Sequence, residues 1–255
     1  MKLDELQSRK GREKITMLTA YDYQTAKILD EVGVDLILVG DTLGMVVQGC
    51  TDTKSVTVED MVYHTRVVAR GAKKTPIIGD MPINSDKTPE DALRNARKLL
   101  AAGSHAVKIE GNKSEVINTL INNGVPVMGH LGLLPQTAAS FRLKGKQPGE
   151  AEIIFQDALE IEKLGVFSIV LECIPENLAK KITDTVSVPT IGIGGGKYCD
   201  GQVLVINDTL GLDPSFSPKY LKRYANLYQI IKEAVESYVH EVKTGKYPDE
   251  EHTYH

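Results

Sequence analysis

Short apolar runs alternate with helical patterns along the chain, and five of the runs end in a side chain able to bind a metal or move a proton. Val34–Gly40 ends in Asp41 and Pro76–Gly79 in Asp80. Ala106–Ile109 ends in Glu110, Pro126–Gly129 in His130, and Ser168–Leu171 in Glu172. Read as buried parallel strands, these runs put the five polar groups at strand C-terminal ends, where α/β enzymes assemble their sites. One acidic strand end would mean little, whereas five polar ends point to a single cluster.

The joints between elements are also visible. Glycines at Gly33, Gly103, Gly124 and Gly165 stand between a helical pattern and an apolar run, fitting the left-handed residue that ends a helix before a short loop. Thr88-Pro89-Glu90-Asp91 supplies an N-cap, a proline at the first helical position and a carboxylate at the third. Thr57 opens another helix, in which Val58, Met61, Val62, Thr65 and Val68 recur at helical spacing.

Eight strands are expected, beginning near Ile15, Val34, Pro76, His105, Pro126, Phe167, Pro189 and Val203, with a long helix over about Pro218–Lys243. Strands alternating with helices predict a parallel sheet. Eight units favour a closed (β/α)8 TIM barrel over an open doubly wound sheet, although periodicity alone does not fix closure. The stretches Thr42–Val56 and Leu131–Glu150 are long for turns and follow strands with candidate site residues, so they are expected to be binding loops or lids. No linker interrupts the 255 residues, which are expected to form one barrel domain with an N-terminal helical segment and a C-terminal helix and tail.

Composition narrows the picture modestly. A hydrophobic share of 42% with 25% charged residues fits a soluble protein with a large core, and a net charge of -4 argues against a general polyanion binder. The cysteines Cys50, Cys173 and Cys199 are sparse and odd in number, which suits a reducing compartment. The start, Met1–Gln7, lacks an apolar signal region, and no apolar run reaches the ~20 residues that span a bilayer. A cytoplasmic location is expected.

Asp41, Asp80 and Glu110 are hard oxygen donors on neighbouring strands and suit Mg²⁺; no Cys/His cluster accompanies them to favour zinc. Aspartates after strands also cap helices, so Asp41 alone is open between cap and ligand. Lys108 and Glu110, two apart, share one strand face, as a plain ion pair or as an anion contact beside a metal ligand. His130 and Glu172 are candidates for proton transfer, Glu172 in an apolar setting that would raise its pKa, with structural pairing as the competing account. The glycine-rich exit Ile191–Gly196 fits either a phosphate loop or simple close approach of backbone. The set implies a divalent cation polarising a small keto acid while a base removes the proton α to its carbonyl, giving a metal-stabilised enolate.

These residues lie in segments that resemble the ketopantoate hydroxymethyltransferase family over nearly the whole chain. The resemblance is carried by Thr19–Tyr23, Val39–Met45, Val107–Gly111, Gly129–Leu133, Leu171–Pro175, Asp200–Val205, Tyr247-Pro248 and Glu251-His252. It implies a barrel enzyme of pantothenate and coenzyme A synthesis. Such an enzyme moves a hydroxymethyl group from 5,10-methylenetetrahydrofolate to 3-methyl-2-oxobutanoate and makes 2-dehydropantoate.

By the resemblance, Asp41, Asp80 and Glu110 hold Mg²⁺, while Asp41, Thr42, Asp80 and Lys108 contact the keto acid. Glu172 is the proton acceptor, His130 hydrogen-bonds near the substrate, and the assembly is a cytoplasmic homo-oligomer, a homodecamer. A related Mg²⁺-dependent 2-oxo acid aldolase or lyase is the alternative. Three departures from the family pattern stand out: Thr42 in place of a usual serine, Ile83 rather than an aromatic residue after Met81-Pro82, and a shortened lid at Phe141–Lys146.

Overall fold

The computed structural model describes residues 3–138, 140 and 142–255. After the N-terminal helix α1 (Leu3–Arg9), strands β1 (Ile15–Thr19), β2 (Leu36–Val39), β3 (Ile77–Asp80) and β4 (Ala106–Glu110) follow in order. They are joined by helices α2 (Tyr23–Val32), α3 (Leu43–Val46), α4 (Val58–Gly71) and α5 (Pro89–Ala102). Helices α6 (Ser114–Asn122), α7 (Pro148–Leu164) and α8 (Glu176–Thr185) then alternate with β5 (Val127–Gly132), β6 (Ser168–Glu172) and β7 (Thr190–Ile193), and β8 (Gly201–Leu204) ends the series.

All eight strands pair in parallel and in chain order, and β8 closes onto β1. The expected (β/α)8 barrel is therefore the fold, with every strand start within two residues of its predicted position. Closure removes the exposed sheet edges of an open alternative. It also explains why β2, β3, β4 and β7 are buried at every residue.

The helices pack through apolar stripes at helical spacing, such as Met61, Thr65 and Val68 on α4 and Ala92, Ala96 and Leu99 on α5. Their ends follow the sequence signals. Thr57 forms a reciprocal capping box with Asp60, and Thr88 accepts from the Asp91 N–H at 3.1 Å. Gly33, Gly103 and Gly165 terminate their helices in the left-handed conformation.

Packing divides the chain into two compact units, residues 1–205 and 206–255. The first is the barrel. The second holds α9 (Ile206–Thr209), α10 (Leu227–Thr244) and a 3-10 turn at Glu250–His252. The long C-terminal helix thus starts about two and a half turns later than the predicted Pro218, because the preceding segment finds other partners. Arg223 donates to the carbonyls of Asp213, Pro214 and Phe216, and the N–H groups of Tyr224 and Leu227 are taken by Thr209 and Leu210. Asn226 then caps α10 through the Gln229 N–H. No helix among the described residues is long and apolar enough to cross a membrane.

Candidate active site

Parallel register gathers the strand ends at one mouth of the barrel. Asp80 pairs across with Lys108, Glu110 with His130, and Gly132 with Glu172. Asp41 lies two residues beyond β2 and reaches the same cluster, since its N–H donates to Asp80 Oδ2 at 3.3 Å. Asp41, Asp80, Lys108, Glu110 and His130 are all buried, and the Glu172 side chain is only 15% exposed.

The alternatives left open by spacing are resolved by the partners. The Asp41 carboxylate caps no helix among the described residues; its Oδ2 accepts from Gln136 Nε2 at 2.9 Å. The helix after Asp80 is capped by Thr88 instead. Lys108 makes its ion pair across the register with Asp80, 2.9 Å away, rather than along its own strand with Glu110. Its Nζ also lies 3.3 Å from His130 Nδ1. On the far side of that imidazole, His130 Nε2 is 3.2 Å from Glu172 Oε2 but not aligned for a hydrogen bond.

Electrostatics follow from this crowding. Burial, then the neighbouring Asp80 charge, pushes Asp41 well above the usual carboxylate range despite Lys108. Burial raises Glu110 to about 8 and Glu172 to about 7, with Lys108 opposing in both cases. Burial opposes the charge on Lys108 as well, but Asp80, Glu110 and Asp41 outweigh it and hold the ammonium above its ordinary value. Burial and the Lys108 charge together keep His130 well below the usual imidazole value, so it is neutral.

Two carboxylate oxygens, Asp80 Oδ1 and Glu110 Oε1, are buried with no hydrogen-bond partner. Unsatisfied buried carboxylate oxygens are costly, and a hard cation is a chemical answer to them. Among the described residues no three His, Cys, Asp or Glu side chains are gathered into a ready-made metal centre; the acids lean on Lys108 and Gln136 instead. The donor set is all oxygen and fits Mg²⁺, provided that the unpaired oxygens turn toward a common point.

The backbone that carries Glu172 is constrained. Cys173 sits at φ 47°, a left-handed conformation unusual for a side-chain-bearing residue and worth ~1–3 kcal/mol of strain. It is held there by Ile193, whose carbonyl takes the Cys173 N–H, and by the Lys144 N–H on the Cys173 carbonyl. Gly132, at φ 100°, passes so close that a Cβ there would lie 2.2 Å from the Glu172 carbonyl oxygen. The Cys173 thiol is pushed up to about 12 by burial and by Glu172, which removes it as a nucleophile.

Two further residues enter the site to which the sequence reading gave no role, although Tyr21 lies in one of the family-like segments. Gln136 is 2% exposed and hydrogen-bonds both Asp41 and the Met81 carbonyl, the latter at 2.8 Å. Tyr21 places its hydroxyl 2.7 Å from Thr42 Oγ1. The predicted glycine-rich exit has a different use: a Cβ on Gly196 would meet Glu176 Cγ at 2.5 Å, and Glu176 accepts from the Lys197 N–H. A carboxylate packed there disfavours a phosphate cradle and supports the close-approach reading. In the shortened lid, Phe141 lies outside the described residues.

The family profile described as ketopantoate hydroxymethyltransferase matches residues 1–250. A 3-methyl-2-oxobutanoate hydroxymethyltransferase of Syntrophus aciditrophicus is 51% identical, over 96% of this chain and 93% of its own. One from Clostridium kluyveri is 50% identical, over 97% and 91%. Among solved structures, a phosphonopyruvate hydrolase in complex with oxalate and Mg²⁺ superposes with a TM-score of 0.64 at 12% identity, over 99% of this chain and 93% of that one, a likeness of fold alone. The chain belongs to the ketopantoate hydroxymethyltransferase family, enzymes that transfer a one-carbon unit in pantothenate synthesis.

Proposed function

We propose that the chain transfers a hydroxymethyl group from 5,10-methylenetetrahydrofolate to 3-methyl-2-oxobutanoate, giving 2-dehydropantoate, with Mg²⁺ held by Asp41, Asp80 and Glu110. The observation that carries this reading is a division of charge at one barrel mouth. Three acids and Lys108 lie on one side of the neutral His130, and the separate acid Glu172 lies on the other. Bound Mg²⁺ would polarise the keto acid carbonyl and stabilise the enolate charge. Lys108 and the Thr42 hydroxyl would hold the keto acid, and His130 would hydrogen-bond beside it.

Glu172 would take the proton from C3, the carbon α to the carbonyl, and its raised pKa of about 7 matches a base working near neutrality. Water would open the donor's methylene bridge, releasing tetrahydrofolate and a formaldehyde-level carbon; the carbon nucleophile would add to that carbon, and a proton would complete the new hydroxyl.

In deuterated water, 3-methyl-2-oxobutanoate and Mg²⁺ should exchange the C3 proton, and added methylenetetrahydrofolate should be consumed. Exchange without folate turnover would favour the alternative, a Mg²⁺-dependent 2-oxo acid aldolase or lyase admitted by the altered lid. No exchange at all would overturn both. A cytoplasmic homo-oligomer, by resemblance a homodecamer, completes the reading. It is supported by α10, none of whose residues is buried although Tyr228, Ile231, Val235, Tyr238 and Val242 form an apolar stripe along it. Light scattering on the purified protein tests it, and a monomer would exclude it.

A further inference from the structure

We infer that Gln136 is a positioning residue that ties the loop between β5 and α7 to the carboxylates of the site, so that ordering of that loop and binding of the cation are one event. The inference rests on the Mg²⁺ reading above. The geometry is specific to this residue. Both hydrogens of its side-chain amide are used, one on Asp41 Oδ2 at 2.9 Å and one on the Met81 carbonyl at 2.8 Å. Its backbone N–H donates to Glu110 Oε2 at 3.2 Å. A single loop residue thus grips one oxygen on each of two acids, one just beyond β2 and one at the end of β4, and also the chain just after β3.

What Gln136 leaves alone is equally informative. The Glu110 oxygen it does not touch, Oε1, is without a hydrogen-bond partner. Asp80 shows the same split, with Oδ2 on Lys108 and the Asp41 N–H and Oδ1 unpaired. Donors therefore fix one oxygen of each of these acids and leave the other for a cation. Partners of this kind orient metal-binding groups, and their loss typically lowers metal affinity ~10–100-fold. A buried amide must be paired wherever it sits; what marks Gln136 is that side chain and backbone together reach two carboxylates of the site. The flanking chain makes the coupling mechanical: Leu133 N–H donates to the Glu172 carbonyl at 2.8 Å, so residues 133–136 run from the proposed base to the proposed metal acids.

Gln136→Met keeps the side-chain length and removes the amide donors. Mg²⁺ affinity by calorimetry should fall about tenfold. Amide hydrogen exchange over residues 131–138, slowed by Mg²⁺ in the wild type, should no longer respond to it. Gln136→Leu, which loses the same donors with a different shape, should behave alike and guards against a packing artefact in either variant. Affinity within twofold of wild type, or retained slowing of exchange by Mg²⁺, would overturn the inference. Asp41→Asn separates the two levels. If it loses Mg²⁺ binding while Gln136→Met does not, the coupling falls and the metal reading stands. If the wild type binds no Mg²⁺, both fall together.

Discussion

At the N-terminal mouth of the barrel, Asp35 accepts from Arg9 at 2.6 Å and from the backbone and hydroxyl of Thr16 at 2.8 Å. Asp200 there accepts from Lys10, the Gly11 N–H and the Thr190 N–H at 2.9–3.0 Å. Burial alone would raise both acids, yet the backbone donors and the basic partners together hold each below the usual aspartate value. At the C-terminal mouth, Asp41, Glu110 and Glu172 are raised by burial, and two oxygens nearby have no donor. The residue type is shared; the supply of donors differs. A fully paired buried acid fixes structure, whereas an underpaired one stores a demand for a cation or a proton.

The two mouths should also respond to pH with opposite sign. Asp35 and Asp200 have depressed folded pKa values, so their contribution is present above an unfolded value of about 3.9 and is lost as pH falls through the folded one. Glu110 and Glu172 have raised values, so the folded chain holds protons that the unfolded chain has released. Their ionisation costs stability increasingly between about pH 4.5 and 7–8, and the full cost applies above that window.

The largest effect should come from removing the base. Glu172→Gln is expected to slow C3 proton exchange by ~10²–10⁴-fold, as loss of a general base does, while leaving Mg²⁺ affinity nearly intact. Glu110→Gln should instead weaken Mg²⁺ binding, so calorimetry and exchange separate the two roles. Without metal at pH 8, Glu172→Gln should melt above the wild type, and that gain should vanish near pH 4.5, below the window in which the wild-type acid is forced to ionise. Identical behaviour of the two variants would erase the division of labour at this mouth.

Asp200→Ala tests the other mouth. It strands the buried Thr190 N–H and takes the carboxylate from the Lys10 ammonium, which keeps the Thr183 carbonyl, and is expected to cost ~2–4 kcal/mol in urea unfolding. C3 exchange per folded molecule should be unchanged. A smaller effect is the pH profile of the wild-type exchange. It should rise tenfold per unit below the apparent pKa of Glu172 and level off above about 7. A rate flat between pH 5 and 8 would remove Glu172 as the titrating base.

Why some of this was legible in the sequence follows from the same physics. Strand starts, capped helices and the five polar strand ends are local patterns, set by period, cap chemistry and burial. Lys108 could be placed on a face with Glu110 by spacing, but its real partner, Asp80, is a matter of register between β3 and β4. Gln136 carries no periodic signal at all, because it comes from a loop whose course is set by distant carboxylates and carbonyls. The late start of α10 was hidden for a similar reason: helical spacing is present from Pro218, but Arg223 turns back to carbonyls that precede it, and the N–H groups of Tyr224 and Leu227 go to Thr209 and Leu210.

Thr42 offers the finest probe of the upper mouth, because its two substituents make separate demands. The hydroxyl meets Tyr21 at 2.7 Å, while the methyl is the added group relative to the serine expected by family resemblance. Thr42→Val keeps the volume and removes the hydroxyl that meets the Tyr21 phenol. The KM for the keto acid should rise about tenfold, in line with ~1–1.5 kcal/mol for a lost hydrogen bond. Thr42→Ser keeps that contact and removes one methyl, worth ~0.8 kcal/mol at most, so KM should move by less than about fourfold and kcat hardly at all. If serine proved as damaging as valine, the methyl and not the hydroxyl would be shaping the keto acid pocket, and polar pairing would cease to distinguish this mouth from the other.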